Sequence, residues 1–194
     1  MLNRICVFCG SSSGSSSGYS ETAWSVGKLL AKLGIGLVYG GGRVGLMGAV
    51  ADGALQNGGE VIGVIPKSLF EVEIAHDGLP KLCVVSSMHE RKALMSELSD
   101  AFLTLPGGFG TFEEFFEVIT WAQLGIHSKP CGVLNVGGFF DPLLALCDHA
   151  VTEGFLSKAD RSLILTETAP DKIIEKLSTF KVPKPSKWLT PSQS

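Results

Sequence analysis

The stretch Leu105-Pro106-Gly107-Gly108-Phe109-Gly110-Thr111-Phe112-Glu113-Glu114 leads from an apolar run through a glycine turn into a segment of helical period. Gly107, Gly108 and Gly110 carry no Cβ, so the backbone can turn sharply and lie close to a bound group. The first amides of the following helix point outward without intrahelical partners. Together these features make an anion site of phosphate size. At 3.6 residues per turn, Phe112, Phe115, Phe116, Ile119 and Ala122 share one side of the helix, while Glu113, Glu114, Glu117 and Thr120 share the opposite arc. Carboxylates just beyond an anion cradle can do acid-base or electrostatic work on the molecule that carries the anion. The spacing also has a purely structural reading. Thr111-x-x-Glu114 is a capping box, and acidic residues in a first turn suit the helix dipole. On this stretch alone, both readings stand.

The elements that must position these residues follow from composition and pattern. The chain has 194 residues, 45% of them hydrophobic and 8% aromatic, which suits one domain with a substantial core over residues 1–180 and an irregular tail over residues 181–194. A net charge of -3 leaves no basic footprint for nucleic acid or a membrane surface, so a small ligand is favoured over a polymer. Met1-Leu2-Asn3-Arg4 runs straight into an apolar strand, and no apolar run approaches about 18 residues. The expectation is a soluble, cytoplasmic protein. Five cysteines are scattered without a disulfide rhythm. Cys6 and Cys9 spell C-x-x-C inside a strand-like run, where residues three apart face opposite ways and cannot share a metal or act as a dithiol. The four histidines show no ligand spacing.

In chain order, apolar runs at 3–9, 35–39, 61–65, 82–85, 101–105, 130–136 and 162–165 read as strands. Helical patterns cover 19–33, 46–56, a segment from Met88 through Leu98, 139–152 and 170–180, besides the helix after Gly110. The alternation predicts an α/β fold with a mostly parallel sheet of about seven strands and helices on both faces. The serine- and glycine-rich run 10–18 suits either a flexible linker or a ligand loop at the carboxyl edge of the sheet. Gly40 to Gly45 spells G-x-G-x-x-G, but it follows the second strand and lacks the acidic residue at the end of the next one, so it reads as a second turn bordering a nucleotide-sized pocket. The irregular stretch 67–81 exposes Glu71, Glu73, His76 and Asp77 and is either a functional loop or a surface excursion. Arg91 and Lys92 sit near a helix start, where cations oppose the dipole; a bound anion or solvent would compensate.

Pro106-Gly107-Gly108-Phe109-Gly110-Thr111-Phe112-Glu113-Glu114 matches PGGxGTxxE, and Met88-His89-Glu90-Arg91-Lys92 supplies an MHxRK element before it. With Gly40-Gly41-Gly42, Val64-Ile65-Pro66-Lys67 and the run from Thr120 to His127, the chain resembles the Lonely-guy (LOG) family, the cytokinin riboside 5′-monophosphate phosphoribohydrolases. The resemblance implies a modified Rossmann fold, a homodimer, and release of a free adenine-type base from its ribose 5-phosphate with no cofactor or metal. It implies catalysis by Arg91 and Glu114. It implies nucleotide contacts from Glu73, Lys92, Thr120 and the segment Gly107, Gly108, Phe109, Gly110, Thr111, Phe112 and Glu113. An AMP nucleosidase and a nucleotide-binding or carrier protein without turnover are the alternatives. Some related sequences carry the label lysine decarboxylase, but nothing around Lys28, Lys67 or Lys92 marks a pyridoxal-binding lysine.

Overall fold

The computed structural model describes residues 2–70, 76–181 and 183. Strands β1 (Arg4–Phe8), β2 (Gly36–Tyr39), β3 (Val61–Pro66), β4 (Lys81–Val85), β5 (Ala101–Thr104), β6 (Cys131–Leu134) and β7 (Ile164–Glu167) form one sheet. The order across it is β4-β3-β2-β1-β5-β6-β7. Every neighbouring pair is parallel, so the expected mostly parallel sheet is parallel throughout. Parallel neighbours need crossovers over the faces, and a sheet covered on both faces needs strands apolar on both sides. That is why these strands read as continuous hydrophobic runs.

The helices are α1 (Ser17–Lys32), α2 (Gly45–Leu55), α3 (Met88–Glu97), α4 (Phe109–Gln123), α5 (Asp141–Thr152), α6 (Lys158–Arg161) and α7 (Pro170–Thr179). Side chains alternate along β1. Ile5, Val7 and Cys9 enter a core shared with Val26 and Leu30 of α1, Val50 of α2 and Ile173 of α7. Cys6 and Phe8 enter a core on the other face with Met95 of α3 and Val118 of α4. A third cluster joins Phe115 of α4 to Val133, Phe140 and Cys147 around α5. Cys6 and Cys9 thus part to opposite faces as their spacing requires, and all five thiols are free.

Several boundaries differ from the sequence reading, each for a local reason. The strand expected over 130–136 ends at Leu134 because Asn135 turns its side chain to the backbone. Its Oδ1 accepts the Phe140 amide at 2.7 Å, and its Nδ2 donates to Asp141 Oδ1 at 2.7 Å. A 3-10 turn (Val136–Gly138) follows, with Gly137 and Gly138 both at positive φ, so the helix starts at Asp141 and not at 139. The last strand starts at Ile164, two residues late, because Ser157 caps the short α6 that sequence periodicity does not reveal. His76 was expected in the open and is half-buried. Its amide donates to the Gly41 carbonyl at 3.1 Å, and its Nε2 lies 3.2 Å from Asp52 Oδ1. Exposed Asp77 pairs with Arg43 at 2.8 Å.

Asn135 is the buried polar joint between β6 and α5, and an alanine would strand the Phe140 amide. Asn135→Ala is expected to lower unfolding free energy by about 1–3 kcal/mol. Equilibrium denaturation should show this as a lower midpoint at unchanged slope.

Candidate active site

β1 lies mid-sheet, with β2 on one side and β5 on the other. Chain order runs outward to β4, then returns past β1 to β5, so the strand sequence reverses between β1 and β5. At such a switch point the loops leaving the two carboxyl ends separate and open a crevice. Here the crevice is a cavity of ≈ 360 Å³. Its walls come from Cys9, Gly10 and Ser11 after β1, Met47 of α2, Leu69 after β3, Met88 and Arg91 of α3, and Gly108 to Thr111, Glu113 and Glu114 of α4. A second chamber of ≈ 310 Å³ adjoins it, sharing Gly10, Ser11 and Gly108 and adding Ser12, Ser13, Gly14, Gly107 and Phe139. The serine-rich run therefore borders the second chamber, a placement that accords with the ligand-loop reading.

α4 begins earlier than expected. Its N-cap is Gly108, which has no side chain to cap with, and the first helical bond runs from the Phe112 amide to the Gly108 carbonyl at 3.0 Å. The capping box expected of Thr111 and Glu114 is therefore not formed. Thr111 lies inside the first turn, buried beneath Gly107, where a Cβ would come within 2.1 Å of Thr111 Oγ1. The early amides of Phe109, Gly110 and Thr111 have no intrahelical acceptor, and these residues line the cavity. The helix presents a positive end to that space.

The buried face of α4 is also turned from the expected one. Thr111, Phe115, Val118 and Ala122 are buried, while Phe116 remains 39% exposed and Phe112 half-buried against Phe139. The predicted apolar side is wider than the sheet can cover.

α3 is capped by Ser87, whose Oγ accepts the Glu90 amide at 3.1 Å, while the Glu90 carboxylate accepts the Ser86 amide at 2.8 Å. The Ser86 hydroxyl, which also donates to that carboxylate, and the Ser86 amide together hold the Glu90 carboxyl below its ordinary range. One turn in, Arg91 is only 4% exposed and donates from Nη2 to the Gly40 carbonyl at 2.9 Å. Solvent is thus not what answers its charge. A Cβ on Gly40 would sit 2.1 Å from that nitrogen, so the first glycine of G-x-G-x-x-G makes room for the guanidinium. Just past the motif, the Leu46 and Met47 amides at the start of α2 are spent on the Gly10 carbonyl at 3.0 and 3.3 Å. Those amides are not offered to a phosphate, and none of residues 40–45 is among those that line either chamber; the motif acts on the site through Arg91.

Cys9 stands in the wall as a neutral thiol, because burial and the Glu114 carboxylate push its pKa far up. The same two causes raise Cys6. Nucleophilic thiolate chemistry is disfavoured here.

The structure thus brings Arg91, Gly108, Phe109, Gly110, Thr111, Glu113 and Glu114 into one cavity, with Gly107 in the adjoining chamber. Lys92, Phe112 and Thr120 do not line the cavity. Lys92 Nζ contacts Glu113 at 2.5 Å and Glu117 at 2.9 Å, and the Thr120 hydroxyl donates to its own helix at Phe116 O, 2.7 Å away. Glu73 lies outside the described residues, as does the tail beyond residue 183. The sequence reading missed Cys9, Met47, Leu69 and Met88 as walls; nothing in their spacing separates them from core residues. Among the described residues no lysine lines the cavity. Lys28 lies over the Trp24 ring at 4.9 Å, and Lys67 is exposed.

A parallel α/β sheet with a helix N-terminus, an arginine and carboxylates converging at its switch point defines a Rossmann-type fold with a nucleotide-scale site. The chain belongs to the LOG family of phosphoribohydrolases. A family model described as "Possible lysine decarboxylase" matches residues 47–177. The cytokinin riboside 5′-monophosphate phosphoribohydrolase LOG of Oryza sativa subsp. japonica is 50% identical over 179 residues, covering 92% of this chain and 74% of that protein. LOG2 of Arabidopsis thaliana, with the same activity in its name, is 50% identical over 183 residues, covering 94% and 85%. Among solved structures, the molybdenum cofactor carrier protein of Chlamydomonas reinhardtii has a TM-score of 0.69 at 19% identity, over 92% of this chain and 97% of that one. That likeness concerns the fold alone.

The glycines of the turn are not equivalent. A Cβ at Gly107 would also meet Gly10 N at 2.8 Å, whereas one at Gly108 meets nothing within 4 Å. Gly107→Ala is expected to cost about 1–3 kcal/mol by overpacking. Gly108→Ala should stay within about 0.5 kcal/mol of wild type. Paired chemical-denaturation curves check both.

Proposed function

We propose that this protein hydrolyses the N-glycosidic bond of cytokinin riboside 5′-monophosphates, which are N6-substituted adenosine monophosphates, releasing the free base and ribose 5-phosphate. The observation that carries the reading is the convergence of the uncapped α4 N-terminus, Arg91 and Glu114 on one cavity. It is supported by the names of relatives at about half identity over most of the chain.

The chemistry follows from that arrangement. The 5′-phosphate is taken by the early amides of α4, whose dipole favours a negative group. Glu114 lies roughly one turn, about 5 Å, farther along the helix, the scale on which a ribose extends from its phosphate. As the C–N bond breaks, its electron pair leaves with the base and positive charge builds on the ribose. The Glu114 carboxylate stabilises that charge and orients the attacking water, which delivers hydroxyl to the anomeric carbon while its proton neutralises the departing base. Arg91, held by the Gly40 carbonyl, orients the sugar hydroxyls and balances the carboxylates. Phosphate binding remote from the reacting bond helps fix the sugar in place. Lysine decarboxylation finds no support in these residues: a Schiff-base lysine must be readily neutral, whereas Lys92 is held as a cation by Glu113 and Glu117.

The homodimer belongs to the same proposal, supported by an apolar groove of ≈ 350 Å³ among Phe112, Phe116, Phe139, Pro142, Leu143 and Leu146. Leu146 is 62% exposed beside it, more than an ordinary solvent face favours. A cytoplasmic location fits five free thiols. No helix among the described residues is long and apolar enough to cross a membrane.

With N6-isopentenyladenosine monophosphate as substrate, Glu114→Gln and Arg91→Ala are each expected to lower kcat by about 100-fold or more; the melting temperature stays near wild type for Glu114→Gln and falls for Arg91→Ala, which empties a buried position and removes a donor from the Gly40 carbonyl. Chromatographic release of free base checks this, with AMP run in parallel. Equal rates on AMP would make the protein a general AMP nucleosidase, and saturable binding without any release would make it a carrier. Leu146→Glu is expected to yield a folded monomer, read by light scattering after gel filtration.

A further inference from the structure

Lys92 is 11% exposed and does not reach the cavity wall. Its ammonium lies between Glu113 Oε1 at 2.5 Å and Glu117 Oε1 at 2.9 Å. Those two carboxylates stand one turn apart on the same face of α4. Burial alone would lower the Lys92 pKa, but the two carboxylates reverse that and hold it above the ordinary lysine value. The ammonium is therefore fully charged at neutral pH, with its donors committed to α4.

The placement of neighbours gives this bridge a use. Arg91 and Lys92 are consecutive on α3, and Glu113 and Glu114 are consecutive on α4. The Lys92–Glu113 contact therefore joins the neighbour of Arg91 to a carboxylate that lines the cavity beside Glu114. Glu113 is about half exposed, and such pairs add little to global stability. What a two-pronged contact between helices does well is fix how one sits against the other.

We propose that Lys92 is a positioning residue, which by bridging Glu113 and Glu117 holds the first two turns of α4 in register with α3 and so sets Glu114 against Arg91 for glycosidic cleavage. This rests on the hydrolase reading above, and it replaces the direct nucleotide contact that the family resemblance implies for Lys92. Glu117, which the resemblance leaves out of the site, becomes part of the same device.

The test measures kcat, KM and melting temperature on N6-isopentenyladenosine monophosphate for wild type, Lys92→Met, Lys92→Arg, Glu117→Gln and the Lys92→Met/Glu117→Gln pair. Lys92→Met is expected to lower kcat by about 10–100-fold, the cost of a small misplacement, with KM within about threefold. Lys92→Arg, which can still span two carboxylates, should recover most of kcat. Glu117→Gln should lower kcat about three- to tenfold, and the pair should be no worse than Lys92→Met, because Glu117 acts through the lysine. A KM rise of tenfold or more with kcat retained would show a nucleotide contact and overturn the proposal. So would full additivity in the pair, or a fall in melting temperature with kcat unmoved. If Lys92→Met does not fold, Lys92→Arg and Glu117→Gln decide alone: a Glu117→Gln kcat equal to wild type overturns it. Wild-type protein that releases no base removes the hydrolase reading and this proposal with it, whereas wild-type turnover matched by Lys92→Met removes only this one.

Discussion

The peptide unit of Gly10 is the joint on which the site end of the molecule turns. Its amide donates to the Pro106 carbonyl at 3.0 Å, tying the loop after β1 to the loop after β5. Its carbonyl accepts the Leu46 and Met47 amides, tying both to the start of α2. Three glycine-rich segments, far apart in sequence, are thereby locked around one residue at the carboxyl edge of the sheet. A Cβ at Gly10 would lie 3.2 Å from Gly107 Cα, so the approach of the two loops leaves little room for a side chain. The switch point opens the crevice, and this joint gives it a fixed floor.

Charge is distributed around that floor in a way that apolar packing alone would not produce. Arg91 is buried with its guanidinium on the Gly40 carbonyl, Lys92 is half-buried with its ammonium on two carboxylates, and the N-terminus of α4 adds its dipole. Removing such cations from water is costly unless nearby groups of opposite sign answer them. A cavity that holds a positive helix end, an arginine and two glutamates is suited to a ligand with both an anionic group and a centre that becomes cationic. A ribose 5-phosphate breaking its bond to a base is such a ligand. The same arrangement leaves the cysteine thiols beside it neutral, which keeps a competing nucleophile out of the site.

How far the site could be read in advance varied residue by residue. The glycine turn after β5 and the acidic arc of α4 were legible, because local sequence dictates where a helix begins and which side chains share a face. A Thr111 cap stood as one of two readings because S/T-x-x-E is a local pattern, whereas its burial under Gly107 depends on how the turn folds back on Gly10. The Gly40 motif read as a second turn bordering the pocket, and the use of its first glycine to admit Arg91 from a helix fifty residues away has no local signature. Lys92 offered only a cation near a helix start; its two acceptors lie on another helix.

The sequence by itself determined the alternation of strands and helices, the parallel sheet that this alternation requires, and the family to which the motif pair belongs. It did so because hydrophobic period, glycine turns and short motifs are properties of neighbouring residues. Tertiary structure alone decided the strand order and hence the switch point. It also decided which of the three glycine segments offers its amides, which carboxylates face the cavity, and which side of α4 stays uncovered. These are relations between residues distant along the chain, fixed by packing across the sheet and by pairing of buried charge, and no local pattern encodes them.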